Sequence, residues 1–436
     1  MLRRELAIVF RARVTWLQAA LSALLVGHSF VLATDLYSAG SRSALANSLM
    51  SREFDPLLGI VRPTLGGLYF AVSLLGALVA VRPLAIEKER RTFHSLLLQT
   101  GSPTHVLGAQ AAAGVLSLGL QFIAPIGLFI VWVLMGGHLG LGETAIALFG
   151  QLLYVILVAA VAMAAAAWTT TLAQAATATI LIIAASWAID ASEGFAALAW
   201  LGRALDWSVS THLVPMERGM LPLGACLWMA IASAGAFAIA YLGTRFDMLP
   251  RRRMFLAMLL VAMTVAGGTM ANRFRAVCDC TEFNRLSLPP AVVTGLRELP
   301  GAIALDVNLD LDDARRRQLE IDAITKLRLA RSDLEVRTPI DETSAPVTGE
   351  RDDGYGRITI HVGDQTRTTY STSRKEIVTL MFEAAGRPVP DWPEVAYPGY
   401  PLVVDGSRRT LTLLVAYIGF PSACLLAGLW ATRTVR

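Results

Sequence analysis

The chain has 436 residues, 54% of them hydrophobic and only 17% charged, with a mean hydropathy of +0.53 and a net charge of +4. Soluble globular chains carry about 25% charged residues, so this composition excludes a soluble enzyme, a fibrous chain and a disordered one. It predicts an α-helical polytopic membrane protein carrying one sizeable polar insertion.

Apolar stretches of about 20 residues predict eight spans, near 14–34, 64–84, 106–135, 144–167, 172–190, 221–243, 254–271 and 410–430. The first follows Arg3, Arg4, Arg11 and Arg13 and lacks a small-residue cleavage site, so it reads as a retained helix rather than a signal peptide. As one helix, 144–190 would be about 70 Å long, more than twice the hydrocarbon core. The polar break Trp168, Thr169, Thr170, Thr171 makes it two spans. Pro125 is expected to kink the third span, and Trp132, Trp187, Trp200 and Trp207 fall at expected interface positions. His28, Gln110, Gln121, Gln151 and Gln174 are expected to bond between helices, with a polar path as the functional alternative.

Orientation follows from the basic residues of the short loops. One set of ends holds fourteen: Arg3, Arg4, Arg11, Arg13, Arg82, Lys88, Arg90, Arg91, Arg245, Arg251, Arg252, Arg253, Arg433 and Arg436. The other holds five: Arg42, Arg52, Arg62, Arg203 and Arg218. Both termini are therefore expected in the cytoplasm and 272–409 outside, in the periplasm of a Gram-negative cell. Lysine is nearly absent (three, against 35 arginines), which reads as compositional bias. The basic residues are too scattered for a nucleic-acid partner.

The insertion, 272–409, is charged and punctuated by proline. Residues 302–310 (AIALDVNLD) alternate like a half-buried strand. Asp312 and Asp313 open a helix with Leu319, Ala323, Leu327 and Ala330 on one face and Arg315, Arg316 and Arg317 on another. Residues 334–340 read as a second strand; 357–369 hold a third, with Gly363 and Asp364 as the turn into a fourth. A helix over 373–385 starts with a capping box, Ser373 to Glu376, and ends at Gly386. Pro388, Pro390, Pro393, Pro398 and Pro401 form an extended return to the last span. A small α/β domain is expected.

Catalytic motifs are missing. The three lysines precede Glu89, Leu327 and Glu376, so no P-loop exists, and there is neither a helical zinc-protease motif nor a Gly-x-Ser-x-Gly elbow. Only Asp190 approaches a span, at its outer boundary. The chain is read as no enzyme, binding no cofactor itself. Cys226 and Cys424 lie within spans; Cys278 and Cys280 are candidates for a soft metal, but two thiolates are too few for a closed site, so no metal site is assigned.

What the sequence does carry is Glu87, Lys88, Glu89, Arg90 and Arg91, followed by Thr92 and the leucines Leu96, Leu97 and Leu98, with a break at Gly101, Ser102 and Pro103. Consecutive charges cannot enter lipid. This piece is expected to lie at the interface, charges toward the cytoplasm and leucines toward the membrane, as a handle for a soluble partner or simply a solvated turn.

The segments Phe54, Asp55, Pro56, then Arg62 through Gly67, then Glu87 through Pro103 resemble the type-2 permeases of ATP-binding-cassette (ABC) exporters, whose pattern is E-x-E-R-x-x-G-T before a leucine cluster. The opening Leu2 to Leu6 is similar to their amphipathic first helix, and Leu205 to Gly219 to their outer segment before the last core helix. The match covers 1–245 and is nearest the gliding-motility and nitrous-oxide-reductase-maturation branch. In this chain Arg91 stands before Thr92 where the family has Gly, and Gly101 where it has Pro. Phe283 to Pro289, Tyr355 to Ile358 and Ser373 to Ile377 resemble a Gld-type auxiliary protein, of which only the first α/β unit is present.

The resemblance implies four parts: a permease core at 1–245, a seventh span at 246–271, the auxiliary-like domain at 272–409, and an eighth span with its tail at 410–436. It implies a separate ABC ATPase subunit that binds ATP and Mg, and a second permease copy or related permease. Glu87, Lys88, Glu89, Arg90, Arg91 and Thr92 would form the coupling helix, anchored by Leu96, Leu97 and Leu98. The function implied is export of an unknown substrate across the inner membrane. The alternative is a mechanotransmission or scaffold protein acting on a periplasmic partner through the outer domain.

Overall fold

The structure is a computed structural model that describes residues 1–45, 51, 54–100, 102–192, 204–274, 276–309, 313–331, 333–337, 354–392 and 397–433. Eight helices among them are long and apolar enough to cross a membrane: α2 (Arg13–Ala44), α3 (Leu57–Glu89), α5 (Pro103–Leu134), α6 (Leu141–Trp168), α7 (Leu172–Ala191), α9 (Leu223–Gly243), α10 (Pro250–Ala271) and α14 (Gly406–Arg433). In hydrocarbon every backbone N–H and C=O must find its partner within the segment, which selects helix. The chain is thus an α-helical polytopic membrane protein. Short helices α1 (Leu2–Arg11), α4 (Phe93–Thr100) and α8 (Val209–Glu217) complete the membrane part.

Helix α6 lies at the centre, against α3, α5, α7, α8 and α9. Several of its alanines, Ala159, Ala160, Ala162 and Ala166, are almost fully buried. Small side chains let backbones approach, which is how helices associate where lipid removes the hydrophobic drive. The expected break between α6 and α7 is present: α6 ends at Trp168, and the Thr171 hydroxyl accepts from the Gln174 amide to cap α7. The apolar windows of α2, α3 and α6 are 61% buried, that of α10 only 11%, so α10 faces outward.

Three spans depart from regular α-helix. A 3₁₀ turn at Leu120–Phe122 interrupts α5 just before Pro125, whose missing N–H accounts for it. Helix α3 has π turns at Leu57–Val61 and Val72–Gly76, and α14 has one at Val415–Gly419. Trp132 is fully buried rather than interfacial, and its indole donates to the His138 carbonyl at 3.0 Å. Its ring meets Tyr37 edge-on at 5.5 Å. Trp187 donates to the Tyr69 hydroxyl at 2.8 Å, and Trp207 packs against Trp228. Trp200 lies outside the described residues.

The chain divides into two compact units, Met1–Glu282 with Tyr397–Arg436, and Phe283–Ala396. The insertion is therefore shorter than the polar composition suggests. On one flank β2 (Val277–Asp279) pairs antiparallel with β1 (Met220–Pro222), inside the helical unit. On the other, residues 400–404 run along α2: Leu402 and Val404 donate main-chain N–H groups to Ser41 and Ser38, and Tyr37 donates to the Tyr400 carbonyl.

Among its described residues the second unit has a four-stranded sheet ordered β4–β3–β5–β6, from β3 (Ile303–Val307), β4 (Glu335–Arg337), β5 (Ile358–Val362) and β6 (Gln365–Thr369). β3 and β4 are parallel, joined through helix α12 (314–330); the other pairs are antiparallel. Ile303, Leu305, Val307, Ile358, Ile360 and Val362 share one core with α11 (Pro290–Glu298), α12 and α13 (Arg374–Ala384). The hairpin turn at Gly363, φ 57°, needs the left-handed backbone glycine tolerates.

Arg316, on the basic face of α12, is only 8% exposed and donates to the Val307 carbonyl. One expectation fails here. The Ser373 capping box does not form, because Glu376 instead accepts from the Thr369 hydroxyl at 2.5 Å. Asp312, Pro393 and the end of the proposed 334–340 strand lie outside the described residues, as do Arg52, Arg203 and Arg436.

Gly27 on α2 meets the Ala416 backbone at the π turn of α14. A Cβ at position 27 would sit 2.8 Å from the Ala416 carbonyl oxygen. Gly27→Val is expected to cost about 1–3 kcal/mol, read as a lower thermal midpoint in lipid nanodiscs; an unchanged midpoint would show that the first and last spans do not pack there.

Candidate functional site

The charged segment is not a separate surface helix. Helix α3 continues through Glu87, Lys88 and Glu89, and the turn comes at Arg90 and Arg91. Arg91 takes φ 59°, with Arg91 N–H donating to the Lys88 carbonyl and Thr92 N–H to the Glu87 carbonyl, both at 3.0 Å. This is a Schellman ending, whose left-handed position favours glycine. An arginine occupies it here, and α4 follows at once.

Three successive side chains then tie this elbow to three other elements. The Lys88 ammonium donates to the carbonyls of Ala166, Ala167 and Thr169, at 2.8, 2.7 and 2.5 Å, closing the end of α6. Glu89 accepts from the Leu172 N–H at 3.4 Å, at the start of α7. Glu87 pairs with Arg4 of α1 at 3.3 Å and accepts from the Thr92 hydroxyl. A cation at a helix C-terminus and an anion at the next N-terminus both suit the helix dipoles. Lys88 is therefore committed to the fold, and so in part are Glu87 and Glu89, contrary to the expectation that this run is offered whole to a partner.

The leucines diverge. Leu96 is buried in the protein core beside Phe93, Leu97 is half-buried, and Leu98 is 81% exposed. Phe93 and His94 also meet Phe246, in the loop before α10. The outward face of the elbow consists of Glu89, Arg90, Arg91, Thr92, His94, Ser95, Leu98 and Gln99. Gly101 lies outside the described residues; α5 starts with Pro103 in its first turn. On α1, Glu5 is 1% exposed and burial raises its carboxyl pKa, opposed by Arg4.

A second polar site lies at the opposite ends of the spans. A cavity of about 350 Å³ opens between α3 and α8, lined by Arg62, Tyr69, Ser210 and Glu217 among others. Glu217 is 7% exposed, accepts from Gln151 of α6 at 3.0 Å and pairs with Arg62 at 3.5 Å. Burial raises its pKa against the pull of Arg62. Beyond it the Tyr69 ring packs at a tilt against Tyr154, which shares a 2.5 Å hydrogen bond with Ser73 in the second π turn of α3.

Helix α8 is held at its start by Ser208, which accepts from the Ser210 N–H and donates to Asp190. His212 on α8 is buried 4.2 Å from Trp228, its Nε2 unpartnered among the described residues.

Of the glutamines, Gln151 is fully buried and reaches the cavity only through its bond to Glu217. Gln110 donates to the Pro83 carbonyl, Gln121 accepts from Ser22, and Gln174 bonds within its own first turn. His28 bonds to Tyr417 at 2.7 Å, an interhelical contact as expected. The Cys278 and Cys280 sulfurs are 3.9 Å apart, both thiols free, and no cluster of three or more metal-ligating side chains exists among the described residues. Sequence reasoning missed Glu217 as a site residue, and took Arg62 only as a loop charge.

Two outcomes follow. Lys88→Met leaves three carbonyls without their cation and is expected to cost about 1.5–3 kcal/mol, measured by thermal unfolding in nanodiscs, with Lys88→Arg recovering only part because a rigid planar fork directs its donors differently from a compact ammonium. Burial pushes His212 from 6.5 down to about 4, so the unfolded chain takes up a proton that the folded chain refuses. Stability from this group is complete above pH 6.5 and is lost as the pH falls toward 4. The midpoint should therefore fall more over that window in the wild type than in His212→Phe. No known protein family, curated protein or solved structure matches the chain.

Proposed function

We propose that this chain is the permease subunit of an ATP-driven exporter, and that the elbow at 87–100 is where a separate ATPase engages it. The observation that carries this reading is the division of labour within the elbow. Glu87, Lys88 and Glu89 fasten it to α1, α6 and α7, while Arg90, Arg91 and Thr92 are exposed. A load on the exposed turn is therefore passed to three elements at once, as switching access requires.

In this proposal the basic ends face the cytoplasm of an inner membrane, ATP and Mg are held by the partner, and a second permease copy or related permease completes the assembly. The Arg62–Glu217 cavity then lies at the outer end of the route, and the substrate is unnamed. A mechanotransmission role is the second reading, favoured by the separate core of the Phe283–Ala396 unit, which would lie outside and act on a periplasmic partner.

The test is co-purification from native membranes. Wild type is expected to bring down a P-loop ATPase, and Arg90→Glu with Arg91→Glu to lose it while the thermal midpoint holds. Reversing Glu87 or Glu89 would confuse partner loss with unfastening. If no ATPase accompanies the wild type under gentle extraction, the proposal fails.

A further inference from the structure

Cys278 and Cys280 are the chain's only cysteines outside the spans, Cys226 and Cys424 lying within α9 and α14. Side chains two apart on an extended strand share a face, so both thiols leave β2 on one side and Asp279 on the other. Two residues of strand advance about 6.6 Å, yet the two sulfurs are 3.9 Å apart, with the Cys280 thiol donating to Cys278. The cause is local. β2 ends at Asp279, whose carboxylate accepts from the Thr281 N–H and hydroxyl at 3.0 and 2.5 Å, an Asx turn that bends the chain at Cys280.

The backbone beneath the pair is fixed at both ends. The Ala276 carbonyl accepts from the Leu223 N–H at 2.9 Å, and the Cys280 N–H donates to the Gly219 carbonyl at 3.0 Å. Gly142, at the start of α6, makes room for the Cys280 carbonyl: a Cβ there would lie 2.9 Å from that oxygen. Cys278 is exposed and Cys280 half-buried. Burial, and then the contact with Cys278, raise the Cys280 pKa, which keeps that thiol protonated and the slower of the two to attack.

A bridge over a single residue closes too short a loop to constrain the unfolded chain much, so a permanent crosslink would gain little here. It can nevertheless form, because a Cα separation of about 6.6 Å falls just inside the roughly 4.4–6.8 Å that a disulfide spans. A bridge at the edge of that range is readily reduced again. Contact between the thiols, exposure of one of them and a reversible bridge are the requirements of exchange chemistry.

We propose that Cys278 and Cys280 form a thiol–disulfide exchange site whose substrate is a disulfide carried by another molecule. Cys278 loses its proton and attacks one sulfur of that disulfide; the other sulfur leaves as a thiolate and takes up a proton. Cys280 then loses its proton and attacks the Cys278 sulfur of the mixed disulfide, expelling the second partner sulfur, which is protonated in turn. The chain ends with a Cys278–Cys280 bridge and the partner with two thiols, so two electrons and two protons have passed to the partner. The same steps run backward oxidise a partner dithiol. The proposal stands apart from the permease reading.

Full-length protein in nanodiscs, first reduced and freed of reductant, is treated with oxidised glutathione, quenched with acid, alkylated and digested for peptide mass spectrometry. Wild type is expected to lose two hydrogens between Cys278 and Cys280 with little glutathione adduct, and to regain them in excess reduced glutathione. Cys280→Ser should stop at a glutathione adduct on Cys278, and Cys278→Ser should form its adduct at least about tenfold more slowly. An unchanged thermal midpoint checks that both variants fold, and the wild-type arms test the pairing without either. No bridge in the wild type, two stable adducts in place of one, a bridge that reduced glutathione cannot reopen, or equal rates for the two variants would each overturn the proposal.

Discussion

One ammonium group organises the basic end of this protein. Lys88 brings three donors to a helix terminus whose last carbonyls have no partner within the helix, and in doing so joins the second span to the fourth. Such a bond to a charged donor is worth more than a neutral one, and it sits where the α6 dipole is negative. Glu89 does the reverse at the head of α7. The tight turn between the fourth and fifth spans is thereby held from both sides by adjacent residues of the second.

The opposite ends of the same helices are organised differently. There a carboxylate, a guanidinium and an amide from α8, α3 and α6 meet beside a cavity, the carboxylate buried and the guanidinium half-exposed. A half-exposed ion pair contributes little net stability, but removing its partners would leave the buried Glu217 carboxylate unsatisfied, which is costly. The two ends thus share helices α3 and α6: a rigid basic end and a polar, partly hollow opposite end are parts of the same two rods.

Much of the fold was legible because its causes are local. Apolar length defined the spans, the Thr169 to Thr171 break separated α6 from α7, and alternation marked β3 and the β5–β6 hairpin. The rest depended on partners distant in sequence. Consecutive helical residues point about 100° apart, so Leu96, Leu97 and Leu98 could not share one face, and only the position of Phe246 and the core decides which turns inward. Arg62 and Glu217 look like unrelated loop charges until α8 folds back over α3. Glu376 left its capping box because β6 brings Thr369 within reach. At Arg91 the position of the turn was visible, but not that a side chain would be held in glycine's conformation.

Lysine scarcity, which looks like mere composition, acquires a structural meaning in this setting. Of three lysines, two lie in the Phe283–Ala396 unit, leaving Lys88 alone among the helical unit's many arginines. A compact ammonium points three donors at three carbonyls from a single atom, where a guanidinium spreads its donors over a rigid planar fork. The same substitution of chemistry makes the helical unit's side-chain primary amine unique. An acylating reagent directed at amines has one side-chain target there, shielded only while the second and fourth spans stay joined. The rate of its acylation is then a direct clock for how often that joint opens.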